Sequence, residues 1–124
     1  MMTTVLTAKD IESAWQYYRQ HKARRRAQRE AERQRWLQRV CEAVTRLAPQ
    51  HSGVWRVILF GSLLQPARFG PASDIDVGVE CDTVEAEVAF RRALGRELGR
   101  DVDVRPLVGR LAEIVAQIGE QVSG

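Results

Sequence analysis

Asp74-Ile75-Asp76 places two carboxylates two residues apart, inside a stretch from Asp74 to Glu80 that alternates polar and apolar residues. In an extended strand, side chains two apart leave the same face, and their Cβ atoms lie about 6–7 Å from each other. Asp103, between Val102 and Val104, offers a third carboxylate in another short apolar stretch. Carboxylates gathered on one face repel one another, and divalent cations relieve that repulsion. Mg²⁺ in particular takes hard oxygen ligands together with phosphates. Upstream, Phe60-Gly61-Ser62 closes an apolar run. A glycine there lets backbone N–H groups approach a phosphate with no Cβ in the way. Ser62 adds a hydroxyl donor, and a helical turn starting there would add its positive end. Phosphates on one side and carboxylates on the other frame a gap for divalent metal, as two-metal phosphoryl or nucleotidyl transfer requires.

These residues need elements to hold them. Val54 to Phe60 reads as a buried strand ended by Gly61. Leu63 to Ser73 contains Pro66, Gly70 and Pro71 and reads as a loop after about one helical turn. Asp74 to Glu80 is a strand with Ile75, Val77 and Val79 on its buried face. Asp82-Thr83 caps a helix running to Leu98, with Gly99 just beyond its end. A third short strand spans Arg100 to Arg105. Leu111, Ile114, Val115, Ile118 and Val122 mark a final amphipathic helix. Before all of these, Ala8 to Ala48 holds neither Gly nor Pro and is rich in helix formers. Thr7 and Asp10 form a weak capping box at its start, and Pro49 stops it. It is one very long helix or two with a quiet break. Trp36, Leu37, Val40, Cys41, Val44 and Leu47 give it a core-facing stripe; Ile11, Ala14, Trp15 and Tyr18 form a second, shorter one.

Taken together, Leu59-Phe60-Gly61-Ser62 and Ser73-Asp74-Ile75-Asp76-Val77 resemble the signature of the DNA polymerase β-like nucleotidyltransferase superfamily. The size is similar to its minimal branch, the MNT proteins of the MntA-like antitoxin type. Asp103 in Asp101-Val102-Asp103-Val104 falls where that family has its third acidic residue, so the resemblance runs from Val54 to Pro106. It implies transfer of a nucleoside monophosphate, AMP from ATP or the equivalent from another NTP, to an acceptor hydroxyl with two Mg²⁺ ions. Asp74 and Asp76 would hold both metals, Asp103 would hold the catalytic one and help deprotonate the acceptor, and Gly61 and Ser62 would bind the triphosphate. It also implies a helical HEPN-type partner protein, some family members adding AMP to a tyrosine of that partner. Minimal members continue Gly-Ser with a small residue and then Arg-Gly. Here Leu63-Leu64-Gln65-Pro66-Ala67-Arg68-Phe69-Gly70 intervenes, and Arg68 is the basic residue available for the phosphates.

Composition adds a polarity. Residues 1–50 carry eleven Lys/Arg against five Asp/Glu, and the remainder eight against eleven. A basic arm on an acidic body suits an acidic partner, a nucleic acid or the protein's own acidic face. Between the two apolar stripes, Arg24-Arg25-Arg26-Ala27-Gln28-Arg29 has almost nothing to bury. Three readings stand: a solvated face with Arg–Glu pairs through Glu30 and Glu32, an arm for a partner protein or self-association, or phosphate contact without sequence readout. Cys41 and Cys81 lie outside any metal-binding spacing and read as reduced, partly buried side chains. No apolar run approaches the ~20 residues that cross a bilayer, and Met1 to Thr7 does not lead into a signal-peptide core, so the expected location is the cytoplasm with no membrane contact.

The expected fold is α/β: a small mixed sheet of three to four strands, helices on one face, and a long N-terminal helical extension. Residues 1–35 form the extension and 36–124 the nucleotidyltransferase domain. The plainer alternatives are concrete. Asp74 and Asp76 could line the solvated face of an edge strand, Asp101 shares a face with Asp103, Ser62 could be a simple helix cap, and Arg68 an ordinary loop residue. At the level of function, the rivals are a module that neutralises a partner by contact with a degraded nucleotide site, and an RNA-directed transferase.

Overall fold

A computed structural model of the chain describes residues 5–124; the first four residues of the basic extension lie outside them. The helix-forming stretch folds as one unbroken helix, α1 (Ala8–Leu47), of 40 residues. Thr7 and Asp10 build its capping box: the Thr7 hydroxyl accepts from the Asp10 N–H, and the Asp10 carboxylate accepts from the Thr7 N–H. A 3-10 turn with Pro49 at its start ends the helix. The chain then runs through β1 (Val54–Phe60), a 3-10 turn at Gly61–Leu64, β2 (Ile75–Cys81), α2 (Val84–Leu98), β3 (Val102–Pro106), α3 (Gly109–Ile118) and β4 (Glu120–Ser123).

The four strands form one sheet in the order β3-β2-β1-β4. β1 pairs antiparallel with β2 and β4, and β2 pairs parallel with β3. A parallel neighbour needs a crossover; α2 supplies it, capped by Thr83 and closed by Gly99 in the left-handed conformation.

Period-two alternation divides the sheet's faces. Val57, Leu59, Ile75, Val77, Val79, Val102 and Val104 point to one face, where α1 brings Val40, Ala43 and Val44 and α2 brings Phe90, Leu94 and Leu98. That is the main core. A smaller cluster of Ile58, Leu107 and Val115 with Phe60, Leu111 and Ala112 sits on the other face. The expectation of helices on one face therefore holds for α1 and α2, while α3 packs on the opposite side.

The C-terminal helix is shorter than its apolar pattern predicts. It stops at Ile118, and Val122 belongs to β4, not to the helix. The cause is Gly119. A Cβ there would lie 2.5 Å from Ile58 Cγ2 and 2.8 Å from the Leu59 carbonyl oxygen, so the chain passes directly over β1 and then pairs with it.

α1 at about 1.5 Å per residue is about 60 Å long, far longer than a seven-residue strand. Its C-terminal turns pack on the sheet, and every residue from 5 to 29 is exposed.

Candidate functional site

β2 and β3 run side by side with Asp76 opposite Asp103 and Val77 opposite Val104. Adjacent strands lie about 4.8 Å apart, so the two half-buried carboxylates are close neighbours on the face turned away from the main core. β1 contributes from the other side: Phe60 pairs with Asp76, and the chain then turns at Gly61. Gly61 has φ +80°, and a Cβ built there would fall 2.2 Å from Asp76 Oδ2. Only glycine fits, for conformation and for space. The Gly-Ser turn and the Asp-x-Asp strand thus touch through Gly61 and Asp76.

The carboxylate pair is electrostatically loaded. Burial, then the charge of Asp103, then that of Asp74, push the Asp76 carboxyl above its ordinary value, and Arg105 opposes them. Arg105 is already committed to Asp103, with Nε 3.1 Å from Oδ2. A guanidinium therefore occupies the counter-cation role beside this pair.

Asp74 is exposed and precedes the first residue of β2; its charge is felt at Asp76. Ser62 is half-buried in the four-residue 3-10 turn, its carbonyl accepting from the Gln65 N–H at 3.0 Å. That turn is too short to carry the dipole of a longer helix, so backbone N–H groups and the Ser62 hydroxyl are the donors on offer. Arg68 is exposed and lines a groove against α1, which none of the three aspartates lines. Among the described residues, no three His, Cys, Asp or Glu side chains converge as a ready-made metal cage. The donor chemistry nonetheless suits a hard cation. Mg²⁺ is usually bound through one or two carboxylates and completes its shell with water and phosphate oxygens, and a carboxylate pair beside a glycine turn offers that much.

Two residues that the sequence reading passed over hold the loops around this pair. Arg100 follows α2, and its Nη2 donates to the carbonyls of Gly70 (3.0 Å), Pro71 (3.2 Å) and Ser73. Its guanidinium stacks between Phe69 (4.6 Å) and Trp36 (5.0 Å). It clamps the segment that delivers Asp74 to the sheet. No local pattern announces it, because its partners lie about thirty residues upstream. Arg33, buried in α1, donates to the Leu63 carbonyl at 2.9 Å and pairs with Glu30. Glu30 also accepts from the Ala67 N–H at 2.7 Å. Arg33, and after it Ala67, hold the Glu30 carboxyl down at about 2. The basic helix is thereby tied to the loop that follows Gly61-Ser62.

Cys41 and Cys81 are free and half-buried, and burial pushes the Cys81 thiol up to about 11. Glu30 and Glu32 do pair with arginines, at i,i+3 spacing, through Arg33 and Arg35. No helix among the described residues is long and apolar enough to cross a membrane.

The sequence matches no family profile and no curated protein. Among solved structures, a chain of the crystal structure of the toxin-antitoxin MntA-HepT superposes with a TM-score of 0.50 at 23% identity, over 69% of this chain and 70% of that chain. The likeness is one of fold: the mixed four-stranded sheet with helices is an architecture that a solved toxin-antitoxin structure also contains.

Proposed function

We propose that the chain is a Mg²⁺-dependent nucleotidyltransferase that modifies a hydroxyl on a helical partner protein, as the antitoxin of a toxin–antitoxin pair. The observation that carries this reading is the contact between Gly61 and Asp76 with Asp103 in register beside them. It sets a glycine turn directly against two neighbouring carboxylates whose counter-cation in this fold is Arg105. The fold likeness to a toxin-antitoxin structure supports the antitoxin setting.

Asp76 and Asp103, joined by the neighbouring Asp74, would hold the metal, which would neutralise charge on the phosphates and lower the pKa of the acceptor hydroxyl. The turn at Gly61-Ser62 would orient the triphosphate through backbone N–H groups and the Ser62 hydroxyl. The acceptor oxygen forms a bond to the α-phosphorus, the bond from that phosphorus to the bridging oxygen breaks, and pyrophosphate leaves. Asp103 would take the acceptor proton once it releases Arg105. Arg105, freed, is a cation for the departing pyrophosphate.

The test is labelling of the co-purified partner with α-labelled ATP. Asp76→Asn and Asp103→Asn should each reduce Mg²⁺-dependent labelling by at least 10²-fold, since the site has no spare carboxylate pair. Full labelling by both variants defeats the assignment.

A second reading is favoured by the Arg105–Asp103 pair and by the buried Leu63 where minimal members carry a small residue and then Arg-Gly. On that reading the chain neutralises its partner by contact, with the arginine in the metal's place. Titration calorimetry decides: tight partner binding without ATP binding in Mg²⁺ supports it.

A further inference from the structure

The loop after Gly61-Ser62 is folded against α1 in a strained way. Ala67 adopts φ +60°, the single non-glycine residue in the left-handed region among those described. Such a conformation costs of order 1 kcal/mol and persists where surrounding contacts impose it. The contacts here are the Glu30 carboxylate on the Ala67 N–H and Arg33 on the Leu63 carbonyl. Their effect is to hold Pro66–Arg68 as one wall of a groove of about 540 Å³ whose other wall is α1.

That groove gathers like charges. Lys22, Arg25, Arg26 and Arg29 line it from α1, and Arg68 lines it from the loop. Among the described residues no carboxylate lines it. Glu30, the nearest acid in sequence, is taken up by Arg33 and Ala67. Cations driven together without a counter-charge are unfavourable until an anion arrives, and here a strained loop brings the fifth one in. The helix cations recur one turn apart, about 5.4 Å, close to the spacing of successive phosphates along an extended strand. At the head of the same row are Tyr18 and His21, with Tyr17 stacked on His21 at 5.8 Å and 7°.

We propose that this groove binds the phosphodiester backbone of a single-stranded nucleic acid, its bases resting on the aromatic side chains of residues 17–21. The lining argues against an acidic protein segment as occupant. Arginine and aromatic residues occur at protein interfaces too, but five cations with no carboxylate among them match the strongly positive lining of nucleic-acid interfaces, and cations interleaved with aromatic faces suit a strand bound without sequence readout. The proposal stands independently of nucleotidyl transfer: Asp76→Asn should keep strand binding whether or not it loses labelling activity.

Fluorescence anisotropy of the full chain with labelled oligonucleotides of about twelve nucleotides, RNA in one arm and DNA in the other, tests it. Single strands lose affinity with salt at a log–log slope of about −0.7 per neutralised phosphate. Four or five contacts therefore predict a slope of about −3. The triple substitution Lys22→Gln, Arg25→Gln, Arg29→Gln keeps helix propensity and should flatten the slope by about 2 while weakening binding at least tenfold. Arg68→Gln alone should weaken binding several-fold, which separates a two-walled groove from a bare charged helix. As a control, Arg91→Gln, Arg92→Gln, Arg96→Gln removes three exposed arginines from α2 and should leave affinity within twofold. The proposal is overturned if neither oligonucleotide binds at about 100 mM salt, if Arg68→Gln has no effect, or if the α2 control is equally damaging. Displacement of the strand by polyglutamate at matched charge would also overturn it, in favour of an acidic protein segment.

Discussion

At Asp76 the role proposed for the carboxylate and the stability of the fold pull in opposite directions. Its carboxyl sits above the ordinary value because it is partly buried and faces Asp103 and Asp74. A group whose pKa is higher in the folded chain than in the unfolded one favours folding below the unfolded value. That contribution disappears as pH rises through the folded value. At neutral pH the ionised Asp76 therefore works against the fold. Asp76→Asn keeps the shape and removes the charge. Its expected outcome is a higher unfolding temperature than the parent at pH 7 in chelator, with the difference closing below about pH 4, where the parent carboxyl is protonated in both states. Thermal unfolding followed by circular dichroism at the two pH values measures this. A variant that unfolds at lower temperature at pH 7 would show that Asp76 makes a structural contact outweighing the repulsion. The missing side chain of Gly61 is the space that the Asp76 carboxylate fills.

Among the elements, the segment between the Gly-Ser turn and β2 is the one whose shape decides where Asp74 stands. Arg100 holds it by three carbonyls and by stacking on Phe69 and Trp36. Hydrogen bonds from a charged donor are each worth about 1.5–3 kcal/mol, and three sharing one nitrogen are not additive. Arg100→Ala should accordingly cost about 2 kcal/mol and lower the unfolding temperature by several degrees, with faster amide exchange confined to residues 70–74. Exchange that rises uniformly instead would mean that the arginine supports the core at large. Such a clamp is illegible in sequence, because an arginine just past a helix end looks like any solvated one. β1, β2, α2 and β3 are legible because period-two apolar patterns, Thr83 and Gly99 are local signals, and the pairing of Asp76 with Asp103 follows once two strands must be parallel neighbours. β4 is not legible. Glu120-Gln121-Val122-Ser123 has one apolar residue, and its strand character comes from β1 offering an open edge beside Gly119. Arg68, expected at the phosphates and found in a separate groove, shows the same limit: a loop cation can be noticed in sequence, but which wall it lines is decided by Glu30, more than thirty residues upstream.

At the scale of the whole molecule, the chain is a small sheet domain with a charged lever. Its fully buried core begins at Val40, with Trp36 and Leu37 packed against it and Arg33 and Glu30 as the farthest turn of α1 that engages the body. From Ala8 to residue 29 the helix is exposed on all sides, yet it displays Ile11, Trp15, Tyr17 and Tyr18 as well as the basic run. A helix of that kind is held by a partner or bridges to one, and its short isolated segments are marginal in water. The body should therefore not depend on it. A chain lacking residues 1–28 is expected to retain its sheet signal and a stability within about 1 kcal/mol of the parent, the usual range for changes away from the core. The same truncation should abolish oligonucleotide binding, since every helix cation of the groove except Arg29 is gone while Arg68 and its loop remain. Urea unfolding and anisotropy on the one truncated protein give both readouts. A loss of several kcal/mol would mean that the arm completes the domain and that residues 1–35 are no separate extension. Unchanged strand binding would place the nucleic acid on the body instead of the lever.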